Sequence, residues 1–166
     1  MFFSSHSYSK SFLCSFVNYF CEEVNIDDLY IKDNLYYKKF EPPYKLFTGL
    51  VSGTLKGKIV EGKKDGKWFE FNSDGIMISE KSYKKGKGEG KWIHYEPNGK
   101  IGRESFYKNG KLNGQSILNF QGGKVHIKSN YLNGKRDGIY TQYDENGKVV
   151  SEVFYKNGIK VLKQQK

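Results

Sequence analysis

Glu80, Glu104 and Glu152 recur at one position of a periodic chain, and a row of carboxylates is what a metal ladder or a general acid–base pair requires. Lys128 interrupts the row and neighbouring units lie two strand spacings apart, so each glutamate is expected to pair with a lysine across a strand instead. His94 and His126 fall at different repeat positions, and no Ser or Cys has the local His and carboxylate that activate a nucleophile. Cys14, Cys21 and the distant His6 supply too few ligands for a metal site, and the two thiols could bridge only in an oxidising compartment. The run Gly86-Lys-Gly-Glu-Gly90 is glycine-rich, but no helical pattern follows it to provide the dipole of a phosphate loop. The residues therefore predict a protein that is not an enzyme and carries neither cofactor nor metal.

Two other sets suit binding. Trp68 and Trp92 with Tyr95 and Tyr143 could offer an aromatic surface to a sugar or a choline-like group, or could simply hold stacked hairpins together. Lys84, Lys85, Lys87, Lys108, Lys111, Lys135 and Arg136 gather near recurring turns and would line one long side of a sheet. Such a row attracts anionic lipid, nucleic acid or an acidic protein, and equally serves as a solvated edge that stays unpaired. Nucleic acid is the least favoured, because Arg, the better reader of bases, occurs only at Arg103 and Arg136.

What must position these residues is a repeat of 24. Gly66, Gly90, Gly114 and Gly138 open each unit; Gly75, Gly99, Gly123 and Gly147 follow nine residues later; Tyr83, Tyr107, Tyr131 and Tyr155 eight further on; and Gly86, Gly110, Gly134 and Gly158 three beyond those. Sixteen matches without a gap mark a repeat architecture. Within a unit, two runs rich in aromatic and β-branched residues are separated by breaks such as Pro97-Asn98-Gly99 and Asn109-Gly110. Asn-Gly favours a hairpin because both residues tolerate positive φ. Each unit is then a hairpin with a first strand of about six residues and a second of about eight. One hairpin is marginal in water, so the units must join edge to edge through a shared tyrosine column. Some eight to ten strands at about 4.8 Å spacing give a ribbon of roughly 40 to 50 Å. The expected fold is all-β: tandem antiparallel hairpins in one elongated, twisted, single-layer sheet with an atypical N-terminal cap.

The third unit departs from the others. Asn119 takes an aromatic slot, Phe120 falls one place late and Gly122-Gly123 replaces Asn-Gly, which suggests a one-residue bulge; Ser116 stands where Trp68 and Trp92 stand. Upstream, residues 1–22 read as a signal-like or disordered segment, 23–48 as a capping hairpin turning at Asp33-Asn34 and ending at Pro42-Pro43, and 49–166 as the repeat domain. Export to the cell envelope is expected if residues 1–22 act as a signal, and the cytoplasm otherwise.

Charge divides the chain. Residues 1–44 hold 4 lysines and 6 acids, net −2, leaving 24 of the 28 basic and 12 of the 18 acidic residues, net +12, to 45–166. Aromatic residues are 16% of the chain, so Tyr and Phe supply apolar area that suits a thin sheet. No stretch reaches the roughly 20 apolar residues of a membrane-spanning helix.

Tyr107-Lys-Asn-Gly-Lys-Leu-Asn-Gly114 and Gly90-Lys-Trp-Ile-His-Tyr-Glu-Pro-Asn-Gly99 resemble the MORN-repeat variant found in many bacterial proteins, over about 100 residues. The resemblance implies a non-enzymatic, partner-binding role. Its antitoxin-like bacterial members imply neutralisation of a partner protein, and its eukaryotic members imply scaffolding close to membranes with phosphoinositide contact. Asp65-Gly-Lys-Trp-Phe-Glu-Phe-Asn-Ser-Asp-Gly75 is also similar to choline- and glucan-binding repeats, which run on a shorter period. The expected partner is a protein, with an anionic membrane surface or a surface glycan as alternatives and a small-molecule substrate not expected.

Overall fold

Asn109 and Gly110 both have positive φ, 51° and 79°, and the same pair of left-handed residues recurs at Asn133-Gly134 and Asn157-Gly158. That is the signature of the tight turn whose twist matches two antiparallel strands. The other break is built differently. Gly99 alone is left-handed there; its N–H donates to the Glu96 carbonyl and Glu96 N–H donates to the Lys100 carbonyl, which makes the Pro97-Asn98-Gly99 break a three-residue loop with its glycine in the left-handed position expected of it. Asn98 contributes its side chain, its Oδ1 accepting from Lys100 N–H at 3.0 Å.

These turns generate the sheet. In the computed structural model, which describes residues 22–39 and 45–162, fourteen strands follow in order: β1 Glu23–Asn25, β2 Leu29–Lys32, β3 Leu35–Lys38, β4 Gly49–Ser52, β5 Leu55–Val60, β6 Lys63–Phe71, β7 Met77–Lys84, β8 Lys87–Tyr95, β9 Ile101–Lys108, β10 Lys111–Asn119, β11 Val125–Leu132, β12 Lys135–Tyr143, β13 Val149–Lys156 and β14 Ile159–Val161. Twelve form one sheet in the order β1-β4-β5 and onward to β14, each strand from β4 antiparallel to the next. The all-β, tandem-hairpin expectation holds, with more strands than the eight to ten read from the period.

The first strand of each unit has nine residues, not six, because the chain does not end its strand at the repeating glycine. Gly90 adopts φ 85° inside β8, where the pairing with β7 breaks register between Lys81 and Tyr83. A left-handed glycine lets the strand kink there and continue. The kink brings the next turn down onto the strand: Gly110 N–H donates to the Gly88 carbonyl, Gly134 N–H to Leu112 and Gly158 N–H to Arg136. Turns on the opposite edge are also tied, Asn98 Nδ2 donating to Gln121 and Lys100 Nζ to Gly122, both at 2.8 Å. Each hairpin thus grips its neighbour at both ends as well as along the strand ladder.

The irregularity foreseen in the third unit is not peculiar to it. β10 shifts register between Leu118 and Asn119, but β6, β8 and β12 shift at the equivalent places. It follows from the left-handed glycine loop that every unit shares. Asn119 is accommodated by donating from Nδ2 to the Ile101 carbonyl at 2.7 Å, and Phe120 stacks on His126 at 4.2 Å.

The buried core lies at the N-terminal end, where Leu29, Phe47, Val51, Ile59 and Trp68 meet. β2 and β3 form a separate two-stranded hairpin turning at Asp33-Asn34, tied down by Tyr36 N–H to the Gly62 carbonyl and Phe47 N–H to the Tyr36 carbonyl. β1 then covers the first edge by pairing in parallel with β4. The segment 1–21, with His6, Cys14 and Cys21, and Pro42-Pro43 lie outside the described residues.

Candidate functional site

Side chains alternate across each strand, so the pairings sort the repeat positions into two faces. On one face, Phe69, Glu80, Ile93, Glu104, Ile117, Lys128, Thr141 and Glu152 stand opposite one another in sequence across the sheet. Lys67 Nζ meets Glu80 and Lys91 Nζ meets Glu104, each at 2.8 Å. The carboxylate row is a set of cross-strand ion pairs at these two positions. Among the described residues no group of three or more His, Cys, Asp or Glu could hold a metal ion.

The other face carries the repeating tyrosines, but they do not stack directly. Between Tyr83 and Tyr107 a residue of the intervening strand fills the gap. Trp92 lies 4.2 Å from Tyr107 and 5.2 Å from Tyr83, and its Nε1 donates to the Ser82 carbonyl at 2.8 Å. Trp68 is only 2% exposed, donates from Nε1 to the Lys58 carbonyl at 3.1 Å and lies 6.4 Å from Tyr36. Tyr140 meets Tyr155 edge-on at 6.2 Å. The shared tyrosine column is therefore a mixed ladder in which indole, phenol and cation alternate.

Cations occupy this ladder at one repeat position. Lys64 Nζ lies 4.3 Å from the Trp68 ring centre and 5.4 Å from that of Tyr83; its equivalent three units on, Arg136, is placed 5.0 Å from Tyr140 and 5.3 Å from Tyr155. Burial, and then the neighbouring Lys81 charge, lower the Lys64 pKa against a smaller opposing pull from Glu70. Burial pushes the Tyr83 hydroxyl up to about 12. Glu70 is held below the ordinary carboxylate range, first by its hydrogen bond from Lys81 and also by that from Ser79, against the opposing effect of burial.

The candidate binding residues do not form one surface. Trp68 and Trp92 point to the tyrosine face, whereas Tyr95 and Tyr143, after the register shift, continue the face of Ile93 and Thr141. Trp68 is sealed in the core and Trp92 is half-buried between two rings, so each serves as a packing residue among its own neighbours. Lys84, Lys85, Lys87, Lys108, Lys111 and Lys135 are all exposed and flank the Lys85-Gly86, Asn109-Gly110 and Asn133-Gly134 turns on one edge; Arg136, next to them in sequence and also exposed, lays its guanidinium over the rings of Tyr140 and Tyr155.

Sequence reasoning missed a recess on the tyrosine face. It has a volume of about 120 Å³ and opens where the third unit carries Ser116 in place of tryptophan. The absence of an indole from that register position was legible; that a hollow would result was not. Sequence reasoning also missed the apolar surface left on the other face near the end of the sheet, where Ile139, Phe154 and Val161 are cross-strand neighbours, 48%, 48% and 45% exposed.

A family model described as MORN repeat variant matches residues 64–85, 88–109 and 136–157. The matched segments start 24 and then 48 residues apart, so the frame that begins at Leu112 is passed over. No curated protein matches the chain.

Proposed function

We infer that this chain, which carries MORN repeat variant units at three positions, is a non-catalytic module that binds a partner protein across its uncovered sheet and its lysine-lined turn edge. The observation that carries the reading is the exposed apolar row Ile139, Phe154 and Val161 on a single-layer sheet. Apolar groups this exposed and contiguous suit a protein interface. The sharpest form of the reading is antitoxin-like: the module covers and neutralises the protein it binds. The test is affinity capture from the cell of origin with wild type and with Phe154→Lys. A protein retained by wild type at both about 50 and 300 mM salt and lost with the variant supports the reading; no protein that depends on Phe154 contradicts it.

The exposed lysine edge favours a second reading, a peripheral scaffold on anionic membrane surfaces. It predicts retention on phosphatidylserine vesicles that collapses between about 50 and 300 mM salt. A glycan platform built on Trp68 and Trp92 is not favoured, since Trp68 is buried.

A further inference from the structure

In unit two the Trp92 ring fills the slot between Tyr83 and Tyr107. The corresponding slot in unit three lies between Tyr107 and Tyr131, and Ser116 leaves it unfilled. Cross-strand pairing lines up Ser105, Ser116 and Ser129 beneath the hollow, with the Ser105 and Ser116 hydroxyls 2.7 Å apart and Ser105 and Ser129 each 4% exposed. Its rim includes Arg103 and Arg136, the only two arginines of the chain. No carboxylate lines it. Burial raises the Tyr131 pKa, yet hydrogen bonds with Arg136 and Ser129 and the charges of both arginines outweigh it and hold the phenol below its ordinary value, so the field in the hollow is positive.

We propose that this recess is a receptor for one carboxylate, the side chain of an Asp or Glu presented by the partner protein. Guanidinium groups offer a forked set of donors that matches a carboxylate, and the serine and tyrosine hydroxyls add further donors. Leu112, Leu118 and Ile127 complete the lining with apolar surface for the methylenes that carry the acid. The volume of about 120 Å³ has room for one such group. The third unit, which the family model passes over, is thus the unit that has exchanged a packing residue for a recognition pocket. This rests on the protein-binding reading and supplies the chemistry by which the partner would be recognised.

The test uses the full chain and a defined probe, N-acetyl-glutamate N-methylamide, with its glutamine counterpart and inorganic phosphate as comparisons. NMR signals of the Arg103 and Arg136 side-chain N–H groups report binding. Saturable shifts of both signals with the glutamate probe are expected, with none from the glutamine probe at about tenfold higher concentration. Arg103→Gln with Arg136→Gln should weaken the glutamate probe by at least about tenfold. A second variant, Leu112→Gly with Ser116→Trp, rebuilds unit two within unit three. The pair is needed because a Cβ at Gly88 would lie 2.9 Å from the Trp92 ring. It should fold, as shown by an unchanged far-UV spectrum, and bind no probe. Equal shifts from the glutamine probe, tighter binding of phosphate than of glutamate, or undiminished binding by the folded variants would overturn the proposal. A partner captured equally well by wild type and the arginine variant would sink the receptor while leaving the protein-binding reading intact. Probe binding without any captured partner would do the reverse.

Discussion

The two tryptophans share a repeat position but not an environment. Trp68 sits against Gly57, where an added Cβ would meet its ring at 2.4 Å, and is sealed by Phe47, Val51 and Ile59; Trp92 is half-buried. Trp68→Ala is therefore expected to cost about 3–5 kcal/mol in urea unfolding, the range for large aromatic residues in a core, and Trp92→Ala distinctly less. Equal losses would contradict the placement of the core at the N-terminal end. Glu70 gives a pH signature. Its folded-state pKa is depressed, chiefly by Lys81, so its contribution is present above the ordinary glutamate pKa of about 4.5 and is lost as pH falls through the lower folded value. Between pH 7 and pH 3 wild type should lose more stability than Glu70→Gln. An identical loss in both would show that the Lys81 contact contributes nothing.

At the scale of the element, turns decide the architecture. Gly110 has φ 79°, so Gly110→Ala should destabilise by about 1–2 kcal/mol through strain a side chain cannot avoid. Gly122 has no positive φ and open space around its Cα, so Gly122→Ala should fall within about 0.5 kcal/mol of wild type. Urea midpoints of the two variants check this contrast. Elements of this kind were legible, because Asn-Gly turns and strand alternation are local signals: the tandem hairpins, the tight turns and the glutamate–lysine pairing could all be read from residue types and period. The strand-interior kink at Gly90 was less so, since a glycine that starts a unit and one that bends a strand look alike in the chain. The parallel β1–β4 pairing was not legible at all, because Glu23–Asn25 meets Leu50–Ser52 through tertiary packing that leaves no periodic trace. The recess at Ser116 was half-visible, as a missing indole, but that Arg103 and Arg136 border the same hollow needed the register.

For the whole molecule, stability is a sum of hairpins and of the interfaces between them, with one well-packed cap at the start and a short, exposed strand β14 at the end. Loss of protection should then propagate from β14 inward rather than strike all strands together. The same thinness leaves two broad surfaces available to a partner, and the repeat sets its spacing. Backbone hydrogen exchange, followed strand by strand, is the most direct measurement of this continuous sheet. Slow exchange is predicted for the ladder amides of β6 to β13, graded towards rapid exchange at β14. Uniformly rapid exchange across residues 63–156, or protected blocks bounded at single hairpins with the joining amides unprotected, would contradict it.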